Sequence, residues 1–201
     1  MRFIASVEEL EDHYGTPGEA SLLKVARRMT PAYRAWIGRS RFVILSTVGP
    51  EGTDASPRGD DGPVVMELDP GTLALPDWKG NERIDSLRNI VRDPRVSLMF
   101  LVPGSNNVIR VNGSAHVTAD EDLRQRFARD GKLPRSVVVI GIAEIYSQCA
   151  RALMRAGLWT SGDQSVELPT AGDILAELSE GRFDGAAYDQ AWPARAAKTM
   201  W

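Results

Sequence analysis

Arg41–Gly49 reads RFVILSTVG, a continuous apolar and β-branched run ending in Gly-Pro-Glu-Gly. This pattern predicts a strand buried on both faces, followed by a turn. PVVMELD and TLALP are joined by Asp69-Pro70-Gly71, a hairpin signal. RVSLMFLVPG and NVIRVNGSAHVTA give two more strands around a Pro-Gly-Ser-Asn turn, and SVVVIGIAEIYSQ gives a sixth. In VIRVNGSAH, Ile109, Val111 and Ala115 share one face, while Arg110, Asn112, Ser114 and His116 share the other. The first face belongs to a core. The second is either a plain solvent face or a cofactor wall or dimer contact. Six closely spaced strands with tight turns predict an antiparallel barrel.

The 3.6-residue period marks the flanking helices. Ser6 precedes VEEL with Glu9 three residues on, a capping box that predicts a short helix to Tyr14. Further helices are expected over residues 20–29, over 31–39 with Pro31 in the first turn, and over 121–129 and 148–155. A helix over 83–92 carries Ile84, Leu87 and Val91 as an apolar stripe, suited to covering a barrel mouth. The tail from Thr170 has helical patches broken by SEGRFDG. The expected organisation is one domain over residues 1–201: N-terminal helices to 40, a barrel core over 41–160, and a helical tail over 161–201.

Composition narrows the partners. The 201 residues carry a net charge of -3, so no bulk basic character points to nucleic acid. The N-terminus lacks the apolar stretch of a signal peptide, and no apolar run approaches a membrane span, so a cytoplasmic protein is expected. The one cysteine, Cys149, makes no intrachain disulfide, and His13 and His116 have no spaced partners for a metal, so no metal site is expected. Neither a P-loop nor a Gly-x-Gly-x-x-Gly pattern occurs.

Candidate chemistry gathers at LPDWKGNERIDSL, where a strand breaks at Pro76 and a helix follows. Asn81 reads as the N-cap, and Glu82 and Asp85 suit the first helical turn. Lys79 and Arg83 are left over, since cations are disfavoured there unless an anion is bound. They are either phosphate ligands or a solvated cluster. In DASPRGD, Ser56 and Arg58 alternate on an extended chain and point the same way. Arg58 either forks onto a phosphate or pairs with Asp54 or Asp60.

Five segments in order carry a resemblance: SPRGD, LPDWKGNERIDSLRNI, DPRVSLMFLVPG, IRVNG and QCARALMRAGLW. Over about residues 30 to 165 the chain resembles the pyridoxamine 5'-phosphate oxidase-like superfamily of FMN-binding split barrels, and more closely its branch of FMN-dependent enzymes of unassigned substrate. The resemblance implies a mainly β, α+β fold built on a six-stranded antiparallel split barrel. It further implies a homodimer with FMN between the subunits and oxidoreductase chemistry through FMN on an unidentified small molecule. Arg58, Asn81 and Arg83 resemble phosphate and ribityl ligands, with Ser56, Pro57 and Lys79 beside them. Leu75, Pro76, Asp77 and Trp78 resemble the wall next to the flavin. Arg110, Gln148, Arg151 and Trp159 resemble contributions from the strand face and the partner subunit. No residue is singled out as catalytic. Pyridoxamine phosphate oxidases carry Ser-Arg-Lys where this chain has Asn81-Glu82-Arg83, and they end in an Arg-Leu-x-Pro pattern where this chain ends ARAAKTMW. The first difference implies that one phosphate cation is absent or replaced from elsewhere, while the extra N-terminal helices and this tail point away from vitamin B6 oxidation and leave FMN binding in place. The alternative reading is a flavin- or haem-binding carrier or sensor on the same barrel, with His116 as the residue to watch for haem.

Overall fold

The structure is a computed structural model and describes residues 1–200. Three helices come first: α1 (Val7–Tyr14), α2 (Glu19–Leu23) and α3 (Pro31–Ile37). Ser6 caps α1 by accepting from Glu9 N (3.2 Å), and Glu9 Oε2 accepts from Ala5 N (3.2 Å). α2 stops short of the expected 20–29 span because Ala26 instead exchanges two backbone hydrogen bonds with Ile145 (2.9 and 2.7 Å). Thr30 caps α3.

The strands are β1 (Phe42–Gly49), β2 (Gly52–Gly59), β3 (Met66–Asp69), β4 (Thr72–Asp77), β5 (Arg95–Leu101), β6 (Val108–Thr118) and β7 (Ser136–Gln148). Between them lie α4 (Asp85–Arg92) and α5 (Glu121–Gln125), and after them α6 (Arg151–Ala156), α7 (Ala171–Leu178) and α8 (Gly185–Thr199). Among the described residues there are seven strands, not six, and they form one antiparallel sheet ordered β2-β1-β5-β6-β7-β4-β3. The sheet does not close, since β2 and β3 are its two free ends. The added strand is β2. Its GTDASPRG sequence is too polar, and carries a proline, to read as a central strand; as an edge strand it pairs only with β1 and tolerates Pro57.

The apolar face of the curved sheet holds the core. Val43 and Leu45 of β1, Leu98 and Phe100 of β5, Ile109 and Val111 of β6, and Ile140 and Ile145 of β7 are all buried there. The alternation expected for β6 holds, with Ile109, Val111 and Ala115 buried and Ser114 and His116 exposed. β6 and β7 change register between Asn112 and Gly113, and a Cβ on Gly113 would lie 1.9 Å from the Gly141 carbonyl oxygen. Only glycine allows that backbone approach.

α4 lies against β1 and β2, but its buried side is not the expected stripe. Ile84 and Val91 are exposed, while Ser86 and Ile90 are buried and Leu87 packs against the core. Polar bonds set this rotation: Ser86 Oγ donates to Asp54 (2.6 Å) and Asn89 Nδ2 donates to the buried Thr47 (3.1 Å). α7 and α8 pack closely on each other, with Gly172 and Gly185 backbone to backbone. No helix among the described residues is long and apolar enough to cross a membrane.

Gly113→Ala is expected to destabilise the fold by about 2–3 kcal/mol, since backbone rather than a movable side chain blocks the added methyl. Chemical denaturation checks this as a lower midpoint at unchanged slope.

Candidate functional site

The open end of the sheet makes a cavity of about 850 Å3 between β2, the end of β4, the loop after it and the start of α4. On β2 and the residue after it the burial alternates cleanly: Asp54, Ser56, Arg58 and Asp60 are half-buried, and Ala55, Pro57 and Gly59 are exposed. The half-buried row faces inward, because Ser56 and Arg58 pair with the buried core residues Leu45 and Val43. Having no strand to meet, these residues reach across the gap with their side chains. Asp54 accepts from Ser86 of α4 (2.6 Å). Arg58 donates from Nε to Ser56 (2.8 Å) and ion-pairs through Nη1 with Asp77 of β4. Asp60 accepts from the Trp78 indole (3.3 Å) and pairs with Arg129 (2.8 Å), which also binds Asp61 (2.8 Å). Arg58 therefore does form an ion pair, although with Asp77 of another strand rather than with Asp54 or Asp60 in its own turn.

β4 supplies the apolar wall. Its pairing with β3 ends at Met66 and Ala74, so Leu75–Asp77 have β7 on one side only. A proline fits there because the amide it lacks would point away from the ladder. Leu75 and Pro76 are buried beneath the cavity, with Val64 and Leu87 beside them.

The corner after β4 differs from a simple helix start. Asn81 is not the N-cap: its Oδ1 accepts from Arg83 N (3.1 Å) in a local turn, and the helix begins at Asp85. The N-cap position is Ile84, left-handed at φ 54° and without a side-chain cap. Glu82 is also left-handed, at φ 63°. A β-branched residue and a second non-glycine in this region within three positions store strain of about 1–3 kcal/mol each, a feature that concentrates at functional sites. Arg83 is not left over, because its Nε donates to Asp85 (2.8 Å).

Four cations and six carboxylates line the cavity, and Arg129 behind it offsets Asp60 and Asp61. Each arginine lining it has a carboxylate from the same wall: Asp77 for Arg58, Asp85 for Arg83, and Glu82 for Arg135 (2.8 Å). Lys79 alone among the described lining cations has neither an ion pair nor a hydrogen bond. The pairs differ in exposure. The Arg58 and Asp77 side chains are 21% and 14% exposed, against 74% and 43% for Arg83 and Asp85.

Of the residues singled out from sequence, Ser56, Pro57, Arg58, Leu75, Pro76, Asp77, Trp78, Lys79, Asn81 and Arg83 all line this cavity. Arg110, Gln148, Arg151 and Trp159 do not. Arg110 lies on the outer sheet face with its guanidinium 5.3 Å from the centre of the Tyr146 ring, and Trp159 Nε1 donates to Ser105 O (2.7 Å). Arg151 opens α6 and is exposed, and Gln148 ends β7 on the outer face. Sequence reasoning missed Arg135 and Met200, both in the wall. Arg135 sits there because Ser136 pairs with Asp77, a register that no local pattern announces. Met200 follows α8 and reaches the cavity from the far end of the chain.

The fold recurs in known structures. A histidine-to-alanine variant of HupZ from Group A Streptococcus superposes with a TM-score of 0.50 at 15% identity, covering 59% of this chain and 98% of that one. General stress protein 26 from Bacillus anthracis gives 0.40 at 20% identity, covering 56% of this chain and 88% of that one. No curated protein matches the chain in sequence. The family model of pyridoxamine 5'-phosphate oxidase matches residues 29–149, which hold the whole sheet, the cavity corner and α4, and the chain belongs to that family.

Proposed function

We propose that the cavity binds FMN and that the protein is an FMN-dependent oxidoreductase acting on a small molecule. The observation that carries this reading is the convergence of three separated segments on one cavity, with Arg58, Lys79 and Arg83 among the residues that line it. The volume of about 850 Å3 lies within the range for cofactor-sized ligands. Its composition fits a ligand with an anionic end and an apolar ring: cations at the strained corner, and Leu75, Pro76 and Val64 along the wall. Lys79, which lacks an internal partner, is the first anchor for the phosphate, joined by Arg83 and by the remaining guanidinium donors of Arg58. Asn81 and Ser56 add polar contacts, while the buried Leu75 and Pro76 exclude water from the ring. Asp60 fixes the Trp78 indole at the same wall. FMN supplies the hydride or electron transfer when bound, and the chain's residues hold and orient it.

A homodimer belongs to the same proposal. Phe42 and Met99 are exposed on the outer sheet face, in the rows that also hold Gln148 and Arg110. Two-fold pairing across this face would bury them and bring Arg110, Gln148, Arg151 and Trp159 towards the partner's cavity. His116, on which a haem-handling reading relies, is exposed on β6 and outside the cavity, so no observation favours that reading.

The purified protein is expected to show a flavin absorption spectrum that NADH, NADPH or a reduced deazaflavin bleaches; a colourless protein that also fails to take up added FMN would sink the proposal. Arg58→Ala combined with Arg83→Ala should weaken FMN binding at least tenfold, since each removes a charge-assisted hydrogen bond worth about 1.5–3 kcal/mol. Fluorescence titration measures the loss. Sedimentation should give twice the 22.0 kDa chain mass, and Phe42→Asp with Met99→Asp should halve it. A monomer holding FMN tightly contradicts the dimer.

A further inference from the structure

The exposed ion pair between Glu82 and Arg135 spans the cavity wall, joining the corner after β4 to the residue before β7. We propose that Arg135 is an anion-binding residue of the cavity and that Glu82 holds its guanidinium in place of the ligand's phosphate until the ligand enters. The inference rests on the FMN reading and adds a residue and an exchange to it.

Three observations support the exchange. The backbone of Arg135 is fixed at the wall, where its N donates to Asp77 O (3.1 Å) in register with the β4–β7 ladder, while its side chain is 60% exposed and long enough to swing. Glu82, 57% exposed, stands at φ 63°, so the strained corner places this carboxylate opposite the arginine. The third observation is the contrast with Arg58 and Asp77, which are mostly buried and tied to Ser56, so that pair stays in place as part of the wall.

Magnitudes favour displacement. An exposed ion pair shifts an equilibrium by about fivefold at most. A guanidinium on a phosphate gains two charge-assisted hydrogen bonds, each worth about tenfold or more. A dianionic phosphate therefore takes Arg135 from a single carboxylate. Glu82 lowers affinity for every anion a little, because its charge stays in the wall after release. The two members of one ion pair thus act on binding with opposite signs, whereas in a purely structural latch both would act alike.

The test uses the full-length protein with Arg135→Ala, Glu82→Gln and the double variant, titrated with FMN, riboflavin and inorganic phosphate, with thermal melting of each variant recorded alongside. Arg135→Ala is expected to weaken FMN about twentyfold, the two phosphate bonds less the ion pair given up for them, and to leave riboflavin, which has no phosphate, within about twofold. Glu82→Gln is expected to tighten FMN about two- to fivefold, and the double variant to bind FMN slightly tighter than Arg135→Ala but weaker than the wild type. Weaker FMN binding in Glu82→Gln, an equal loss for both flavins in Arg135→Ala, or unchanged FMN affinity in either variant overturns the inference. If the wild-type protein rejects FMN, the FMN reading falls while the phosphate titrations decide this one: opposite shifts in the two variants uphold Arg135 as an anion site, and no shift overturns it.

Discussion

The unclosed sheet is the constraint from which the site follows. β2 ends the sheet on one side, and its inward side chains face a gap where a closed barrel would provide another strand. An edge strand with unmet inward polar groups must satisfy them by other means. Asp54, Arg58 and Asp60 do so by reaching Ser86, Asp77, and Trp78 with Arg129. Side-chain bridges hold the two sides at a distance that a backbone ladder would have closed. The space between them is the cavity, so the polar row that spans the opening also lines it.

The electrostatics follow from the same geometry. A cavity walled by bare cations would be costly without a ligand, and here each arginine in the wall has its own carboxylate. Exposure separates their roles. The Arg58–Asp77 pair, mostly buried and tied to Ser56, belongs to the framework, since breaking it would strand a partly desolvated charge. The pairs at the corner are solvated and weak, and they can be exchanged. Two left-handed non-glycine residues at that corner, Glu82 and Ile84, fit a loop shaped for what it presents more than for its own stability.

Much of this was legible in the sequence, though unevenly. Strand periodicity identified the core face of β6, and the alternation in DASPRGD put Ser56 and Arg58 on one side, because a two-residue period needs no knowledge of the partner strand. The same segment does not announce itself as a strand, since a polar, proline-bearing edge strand resembles a loop until its single neighbour is known. The face of α4 departs from its apolar stripe for a related reason: Ser86 and Asn89 turn inward to meet Asp54 and Thr47, and a stripe of apolar positions carries no sign of buried hydrogen bonds. Asn81 has the chemistry of an N-cap, yet it serves a local turn and stands three residues before the N-cap position, Ile84.

The sequence by itself determined the local matters: which segments alternate, where turns and caps are favoured, and that cations collect at one strand-to-helix corner. Those depend on residues a few positions apart. The tertiary structure alone decided which groups meet. Arg58 finds Asp77 across 19 residues, Ser86 finds Asp54 across 32, and Arg135 finds Glu82 across 53. Such pairings are set by the register of β4 on β7 and by the failure of β2 to find a second neighbour. Both are properties of the assembled sheet, whose hydrogen bonds join residues far apart in the chain, so no window along the sequence contains them.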